Sequence, residues 1–192
     1  MNNKNNKLIL SSSSKNRELI LKKIKIPFKV FCPEICETSN QREKPQQLTK
    51  RLSYQKAILA KKKFKNEFIL SADTIVYTRK KIIDKTQNID QAKLNLKYLS
   101  GRRHRVYTGI TFFTNQDRCF QYVCKSIVKF KVLNDKEIDK YLVLNEWKGC
   151  AGSYSIQGFA ESFVEMISGS FSNVVGLPMH ITYKVLRNNN LI

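Results

Sequence analysis

The chain has little glycine and proline, seven and four residues among 192. That scarcity excludes collagen-like repeats and argues against a long disordered or linker-rich segment. No apolar run approaches the roughly 18 residues that a membrane-crossing helix needs. The opening stretch Met1–Lys7 is polar, and Leu8-Ile9-Leu10, cut off by Ser11–Ser14, is too short for a secretory signal. The expectation is therefore a cytoplasmic protein without a membrane partner. The odd cysteine count of five argues against a disulfide framework. Common catalytic signatures are also missing: there is no Walker loop, GxGxxG, HExxH or GxSxG. Acidic residues are few, 15 against 35 lysines and arginines, for a formal charge of +20. An anionic partner such as a nucleotide, a nucleic acid or an acidic surface would account for this charge. So would a composition biased towards Lys, Asn and Ile throughout, and the sequence leaves the two open.

What is present suffices for a folded α/β chain. Hydrophobic residues make up 42% of it, with eleven Phe and eight Tyr. Lys7–Leu10 has the pattern of a short buried strand and Lys15–Lys23 of a helix start, with a polar turn between. Phe28–Phe31 is a second strand. Gln46–Lys62 is an amphipathic helix with Leu48, Leu52, Ala57 and Leu59 inward and lysines outward. Phe68–Tyr77 reads as a strand broken by Ser71-Ala72-Asp73-Thr74, and Lys81–Ile83 as its return. A helix over Asp90–Leu99 has Asn88 or Asp90 as cap. Two longer strands follow, Val106–Thr114 and Phe120–Val132. Asn134 or Asp135 caps a helix to about Leu142. Glu146–Gly158 is a loop of small residues, Phe163–Ile167 a strand, and Asn173–Leu186 helical despite Pro178. This alternation predicts a mixed sheet in a single domain over residues 1–192.

Four constellations carry chemistry. Ser11–Arg17, between a strand and a helix, offers hydroxyls, backbone N–H groups and a guanidinium to an anion, although a serine run before a helix is commonly only a cap. Asp73, inside an apolar strand, is costly unless paired or bound to metal. Leu99–Gly109 holds a basic cluster with His104, for which a structural hydrogen bond is the expected use. Gly149–Gly158 could let backbone approach a ligand closely, and Gln157 there could meet a base edge through its amide. The Cys32/Cys36 and Cys119/Cys124 spacings allow a zinc site on paper, but buried thiols are the expectation.

Taken together, in order, these residues resemble the Maf family from near Leu8 to near Leu186. The match runs through Leu8-Ile9-Leu10, Ser12, Ser14, Arg17, Pro33, Glu37, Arg51-Leu52 and Lys56-Ala57. It continues through Ala72-Asp73-Thr74, Lys85, Leu99-Ser100-Gly101-Arg102, His104, Val106, Thr108, Gly109 and Glu146. It then takes in Ala151-Gly152, Tyr154, Ile156-Gln157-Gly158 and Ser172–Pro178. The resemblance implies an elongated mixed β-sheet flanked by helices, two lobes and a central cleft, distantly like inosine triphosphate pyrophosphatases. It implies hydrolysis of a nucleoside triphosphate to monophosphate and pyrophosphate with Mg²⁺ or Mn²⁺, and homodimers are common in the family. Asp73 would activate water or hold the metal and Glu37 would help hold it. Lys56, Lys85 and Arg17 would hold phosphates, Ser12 and Ser14 would add contacts, and Thr74 and Gln157 would lie near the base.

Thr74 and Gln157 resemble the branch acting on dTTP and UTP rather than the one acting on 7-methyl-GTP. Several positions depart from the family. Cys36 replaces an Asp, Lys15-Asn16 replaces Pro-Arg or Pro-Trp, Asp84-Lys85-Thr86 replaces Gly-Lys-Pro, and Gly149-Cys150 replaces Asp-Lys. These departures keep open two further expectations: a pyrophosphatase of the 7-methyl-GTP type, for which Asn16 leaves room, and a homologue that binds nucleotide or RNA without turnover.

Overall fold

A computed structural model describes residues 7–192. Seven strands among them form one mixed sheet: β1 (Leu8–Ser11), β2 (Phe28–Phe31), β3 (Phe68–Thr78), β4 (Lys81–Ile83), β5 (Arg103–Phe113), β6 (Cys119–Phe130) and β7 (Val164–Ser168). Their order is β2-β1-β3-β5-β6-β7, with β4 paired to β3. The helices are α1 (Lys15–Lys22), α2 (Pro45–Lys63), α3 (Ile89–Leu99), α4 (Asp135–Val143), α5 (Phe171–Val175) and α6 (Met179–Asn188). The expected α/β class with a mixed sheet is thus observed. No described helix is long and apolar enough to cross a membrane.

The chain divides into two compact units. The first comprises residues up to Asp73, Thr108–Cys124 and Gly176–Ile192, and the second Thr74–Tyr107 and Lys125–Val175. In the first unit β1 lies parallel to both β2 and β3, with Ser11 level with Phe31 and Ser71. Parallel neighbours require crossover connections, and α1 and α2 supply them. The core of this unit is small: Ile9, Ile69 and Phe113 meet Ala57 and Ala60 of α2, with Phe31, Ile58 and Phe64 packed around them. Gly109 on β5 lets α2 come close. A Cβ at that position would lie 2.3 Å from the Thr49 carbonyl oxygen, a distance no side chain tolerates.

The second unit has the larger apolar core, with Leu96, Leu99, Phe130, Tyr141, Trp147 and Phe163 at its centre. Its helices are capped as the sequence suggests: Asn88 accepts from the Gln91 N–H, and Asn134 and Glu137 form a reciprocal capping box.

Three expectations need correction. Polar residues do not break β3, which is continuous from Phe68 to Thr78. Each has a partner: the Ser71 hydroxyl donates to the Ser53 carbonyl at 2.6 Å, and Asp73 meets Lys56. The helix proposed over Asn173–Leu186 is two helices, α5 and α6. Pro178 has no N–H to donate, and Gly176 takes φ +124°, a left-handed backbone that ends α5. On α2 the lysines do not all face outward, since Lys56 shares the buried stripe with Leu52, Ser53, Ala57 and Ala60.

Candidate active site

The α2 stripe sets the site's geometry. Positions 53, 56, 57 and 60 recur at three- and four-residue spacing and face the sheet. Side chains alternate along β3, so Ile69, Ser71 and Asp73 share one face. Ile69 packs on Ala57 and Ala60, Ser71 bonds the α2 backbone, and Asp73 reaches Lys56. Hydroxyls lock this contact. Ser11 Oγ donates to the Lys56 carbonyl at 2.8 Å, and Ser53 and Thr111 share a hydrogen bond of 3.0 Å. Lys56 therefore stands on a helix bonded to β1, β3 and β5 at fixed register.

Lys56 Nζ lies 2.6 Å from Asp73 Oδ1 and 2.5 Å from Glu37 Oε1. Asp73 is 1% exposed and Lys56 6%, whereas the Glu37 side chain is 40% exposed. Two carboxylates thus converge on one ammonium at the carboxyl ends of parallel strands, where α/β sheets commonly place ligands. Glu37 sits on the loop between β2 and α2. Arg51 pins that loop: it holds the Glu43 carboxylate with two N–H groups at 2.8 Å and donates to the Thr38 carbonyl at 2.9 Å. This ion pair raises the Arg51 guanidinium pKa above its ordinary value and lowers that of Glu43.

Arg17 adds a second buried cation. It lies on the inward face of α1 with Ile20 and Leu21. Its Nε donates to the Gly176 carbonyl at 2.9 Å and its Nη1 to Ser12 Oγ at 3.1 Å. Ser12 Oγ also accepts from the Ser14 N–H, and Ser14 Oγ caps α1 by accepting from the Arg17 N–H. Burial lowers the Arg17 pKa, against the attraction of Asp73 and Glu37, which raises it. An arginine stays charged through such a shift. Asp73, Glu37, Lys56, Arg17, Ser12 and Ser14 therefore form one charged cluster within the first unit.

The remaining candidates belong to the second unit. Thr74 follows Asp73 on β3 and is 6% exposed. Lys85 is exposed on the connection from β4 to α3. Its charge opposes the rise that burial imposes on the Cys150 thiol and the Asp84 carboxyl. Gln157 is exposed in the turn that leads to Gly158.

A sequence profile of Maf-like proteins matches residues 7–189. The chain belongs to the Maf family. A dTTP/UTP pyrophosphatase from Agrobacterium fabrum is 40% identical over 193 residues, spanning 97% of this chain and 93% of the relative. Another from Wolbachia pipientis wMel is 42% identical, with 95% and 93% covered. A nucleoside triphosphate pyrophosphatase from Rickettsia akari is 43% identical, with 93% and 92% covered. Among solved structures, a nucleoside-triphosphatase / dITP/XTP pyrophosphatase from Mycobacterium abscessus gives a TM-score of 0.41 at 10% identity, over 65% of this chain and 74% of its own.

The positions where this Maf chain departs from its family pattern have local partners. Cys36 is exposed and hydrogen-bonds Thr38 at 3.0 Å, which lowers its thiol pKa. Thr86 accepts from the Asn88 N–H and so helps shape the turn into α3. Cys150 donates to the Glu146 carbonyl at 3.3 Å. The five cysteines are free, but they are not buried as expected: Cys32, Cys36 and Cys119 are exposed and Cys124 and Cys150 half-buried. Among the described residues no group of three or more His, Cys, Asp and Glu converges as metal ligands. His104 is structural, as expected. Its Nε2 meets the Tyr154 hydroxyl at 2.8 Å within an edge-to-face cluster with Phe130.

Sequence reasoning passed over the parts that aim the site. The hydroxyl bonds of Ser11, Ser53 and Ser71 to α2, the Arg51 clamp and the Gly176 carbonyl under Arg17 leave little trace in a sequence. Serines at alternate strand positions facing a helix were the available signal.

Proposed function

We propose that this Maf chain is a nucleoside triphosphate pyrophosphatase acting on dTTP and UTP, releasing the monophosphate and pyrophosphate with a divalent metal. The carrying observation is the convergence of the Asp73 and Glu37 carboxylates on Lys56, with Arg17 buried beside them. The names of the relatives support the substrate class, and Thr74 and Gln157 support the pyrimidine branch.

The residues suit a hard cation. Two carboxylates already share one positive charge, and Mg²⁺ typically takes one or two carboxylates and completes its shell with water and substrate phosphates. Asp73 and Glu37 would hold it. When bound, the cation supplies Lewis-acid charge to the phosphate oxygens.

The other roles fall to side chains. Asp73 accepts the proton of the attacking water as oxygen bonds to the α-phosphorus. The bridging bond to the β-phosphate breaks, and its electron pair leaves with pyrophosphate. Lys56 and Arg17 offset the charge that develops there. Ser12, Ser14 and the N-terminal N–H groups of α1 orient phosphate oxygens. On the family pattern we assign Lys85 to phosphate and Thr74 and Gln157 to the base. The free thiols support a reducing compartment, the cytoplasm.

Pyrophosphate release from a panel of nucleoside triphosphates, with Mg²⁺ or Mn²⁺, tests the proposal. The wild type should turn over dTTP and UTP fastest, and Asp73→Asn should lose about 10²–10⁴-fold in rate while still binding nucleotide. No turnover with any base or metal would reject the enzyme and leave a nucleotide-binding protein.

A further inference from the structure

Helix α3 carries one polar residue in a buried stripe that is otherwise apolar. The stripe is Ala92, Asn95, Leu96 and Leu99, and Asn95 is 6% exposed. A buried amide is costly unless its groups find partners, and here the partners lie on two separate segments. Asn95 Nδ2 donates to Ser153 Oγ at 2.8 Å and, at 3.4 Å, to the Asp84 carbonyl. Its Oδ1 accepts from Gln91 Nε2 at 3.0 Å, one turn earlier on the same helix. With the oxygen engaged there, the NH₂ group is left to face the two segments.

Asp84 immediately precedes Lys85, and Ser153 stands four residues before Gln157. Both segments belong to the second unit. Their backbones also meet directly, where the Gly149 N–H donates to the Thr86 carbonyl at 3.3 Å. Gly149 takes φ +68°, and a single link at a glycine would leave the residues after it able to swing. The Asn95 bond supplies a second link. Ser153 meets it fully buried and with φ +58°, a backbone that residues other than glycine seldom take. Further along, the Tyr141 hydroxyl accepts from the Ser155 N–H at 2.9 Å and Glu146 Oε2 from the Phe159 N–H at 2.8 Å. Gln157 therefore sits between anchored points.

We infer that Asn95 is a positioning residue: by tying the Asp84 carbonyl to Ser153 it sets the spacing between the phosphate contact of Lys85 and the base contact of Gln157, and so the affinity for a whole nucleoside triphosphate. The inference rests on the roles proposed above for those two side chains. A ligand that engages both contacts gains from their being held at a matching distance, because the second contact then forms at high effective concentration. A ligand that engages one of them gains nothing from the spacing. Leucine at position 95 would fill the stripe, but dispersion has no preferred direction, whereas the amide bonds are satisfied over a narrow range of distance and angle.

Calorimetry with α,β-imido-dTTP, whose α–β bridge resists cleavage, tests it in the presence of Mg²⁺. Asn95→Leu, and Ser153→Ala from the other side of the bond, should each raise the Kd about tenfold. The double variant should stay within about twofold of the weaker single one, because both changes act through one bond. Tripolyphosphate, which has no base, should keep its Kd within about twofold in each variant. Pyrophosphate release from dTTP should show a raised KM with kcat within about threefold of wild type. Val128→Ala, a core substitution in the same unit, should lower the Tm yet leave the Kd of the analogue within about twofold. An unchanged Kd for the analogue in both single variants, an equal loss for tripolyphosphate, or an equal loss in Val128→Ala would overturn the inference. Binding of the analogue needs no turnover. A wild type that binds it without hydrolysing dTTP would reject the proposed reaction while the variants still decide the inference, and a wild type that does not bind it would overturn both.

Discussion

Replacing Lys56 by Met removes an ammonium that both Asp73 and Glu37 touch and keeps most of the side-chain volume. Asp73 is 1% exposed, so its carboxylate cannot recover the loss from water. Removing one partner of a buried ion pair typically costs about 3–5 kcal/mol, because the other charge is left uncompensated. Two features favour the lower end. Arg17 still attracts Asp73, and the Glu37 side chain, 40% exposed, can rehydrate. The expected loss is about 3 kcal/mol, a large share of the roughly 5–15 kcal/mol that stabilises a domain. For a chain of this size it corresponds to a fall in Tm of about 6–12 °C. Urea titration followed by circular dichroism measures it, and a cycle with Asp73→Asn apportions it. The double variant should recover about 2 kcal/mol of the combined single losses. Millimolar Mn²⁺ should raise the Tm of Lys56→Met more than that of wild type, because a bound cation replaces the missing charge. A single-variant loss below about 1 kcal/mol, or a coupling within about 0.5 kcal/mol of zero, would refute the account of Lys56 as the charge that holds the two carboxylates.

Other consequences can be checked in the same way. Burial lowers the His104 pKa from 6.5 to about 4. Between those values the unfolded chain takes up a proton that the folded chain refuses, so lowering the pH should cost up to about 3 kcal/mol. His104→Phe should flatten that part of the stability–pH curve, as equilibrium unfolding from pH 7 to 4 would show. Gly109→Ala must push β5 and α2 apart, since the new Cβ meets the Thr49 carbonyl carbon at 2.5 Å as well as its oxygen. It should destabilise by about 1–3 kcal/mol and lower kcat by displacing Lys56, measured by thermal melting and pyrophosphate release. Arg51→Ala frees the loop that carries Glu37. It should raise the Mn²⁺ concentration for half-maximal binding several-fold in calorimetry with a smaller effect on Tm, and an unchanged metal affinity would show that Glu37 needs no clamp.

Much of this was legible in the sequence because periodicity and capping are local. The strand Phe28–Phe31, the return strand Lys81–Ile83 and the caps Asn88 and Asn134 follow from neighbouring residues alone. Asp73 stood out because a carboxylate in an apolar strand demands a partner. Its partner did not, since a lysine in a helix is ordinarily outward, and only the tertiary packing of α2 shows that Lys56 lies in the inward stripe. The same non-locality explains β3. Serine and aspartate look like strand breakers until Ser53 and Lys56, far away in sequence, are brought against them. Gly176 could not be read as the support for Arg17, because the link is a backbone carbonyl and carbonyls are common to all residues. The exposed cysteines misled because thiol burial is a tendency of the residue, not of these loops.

The hydroxyl bonds that fasten α2 to the sheet bear on how this fold tolerates change. A purely oily seam holds two layers together but lets one slide or roll against the other at little cost, because dispersion has no preferred direction. Ser11, Ser53, Ser71 and Thr111 place oriented bonds across the seam, each satisfied in a narrow range of distance and angle. Exchanging Ser71 or Ser53 for alanine or valine could leave the molecule as hard to unfold as before while Lys56 loses its aim. In this seam, resistance to heat and accuracy of alignment are separate properties, and screening variants for thermal resistance alone would pass over the loss of the second.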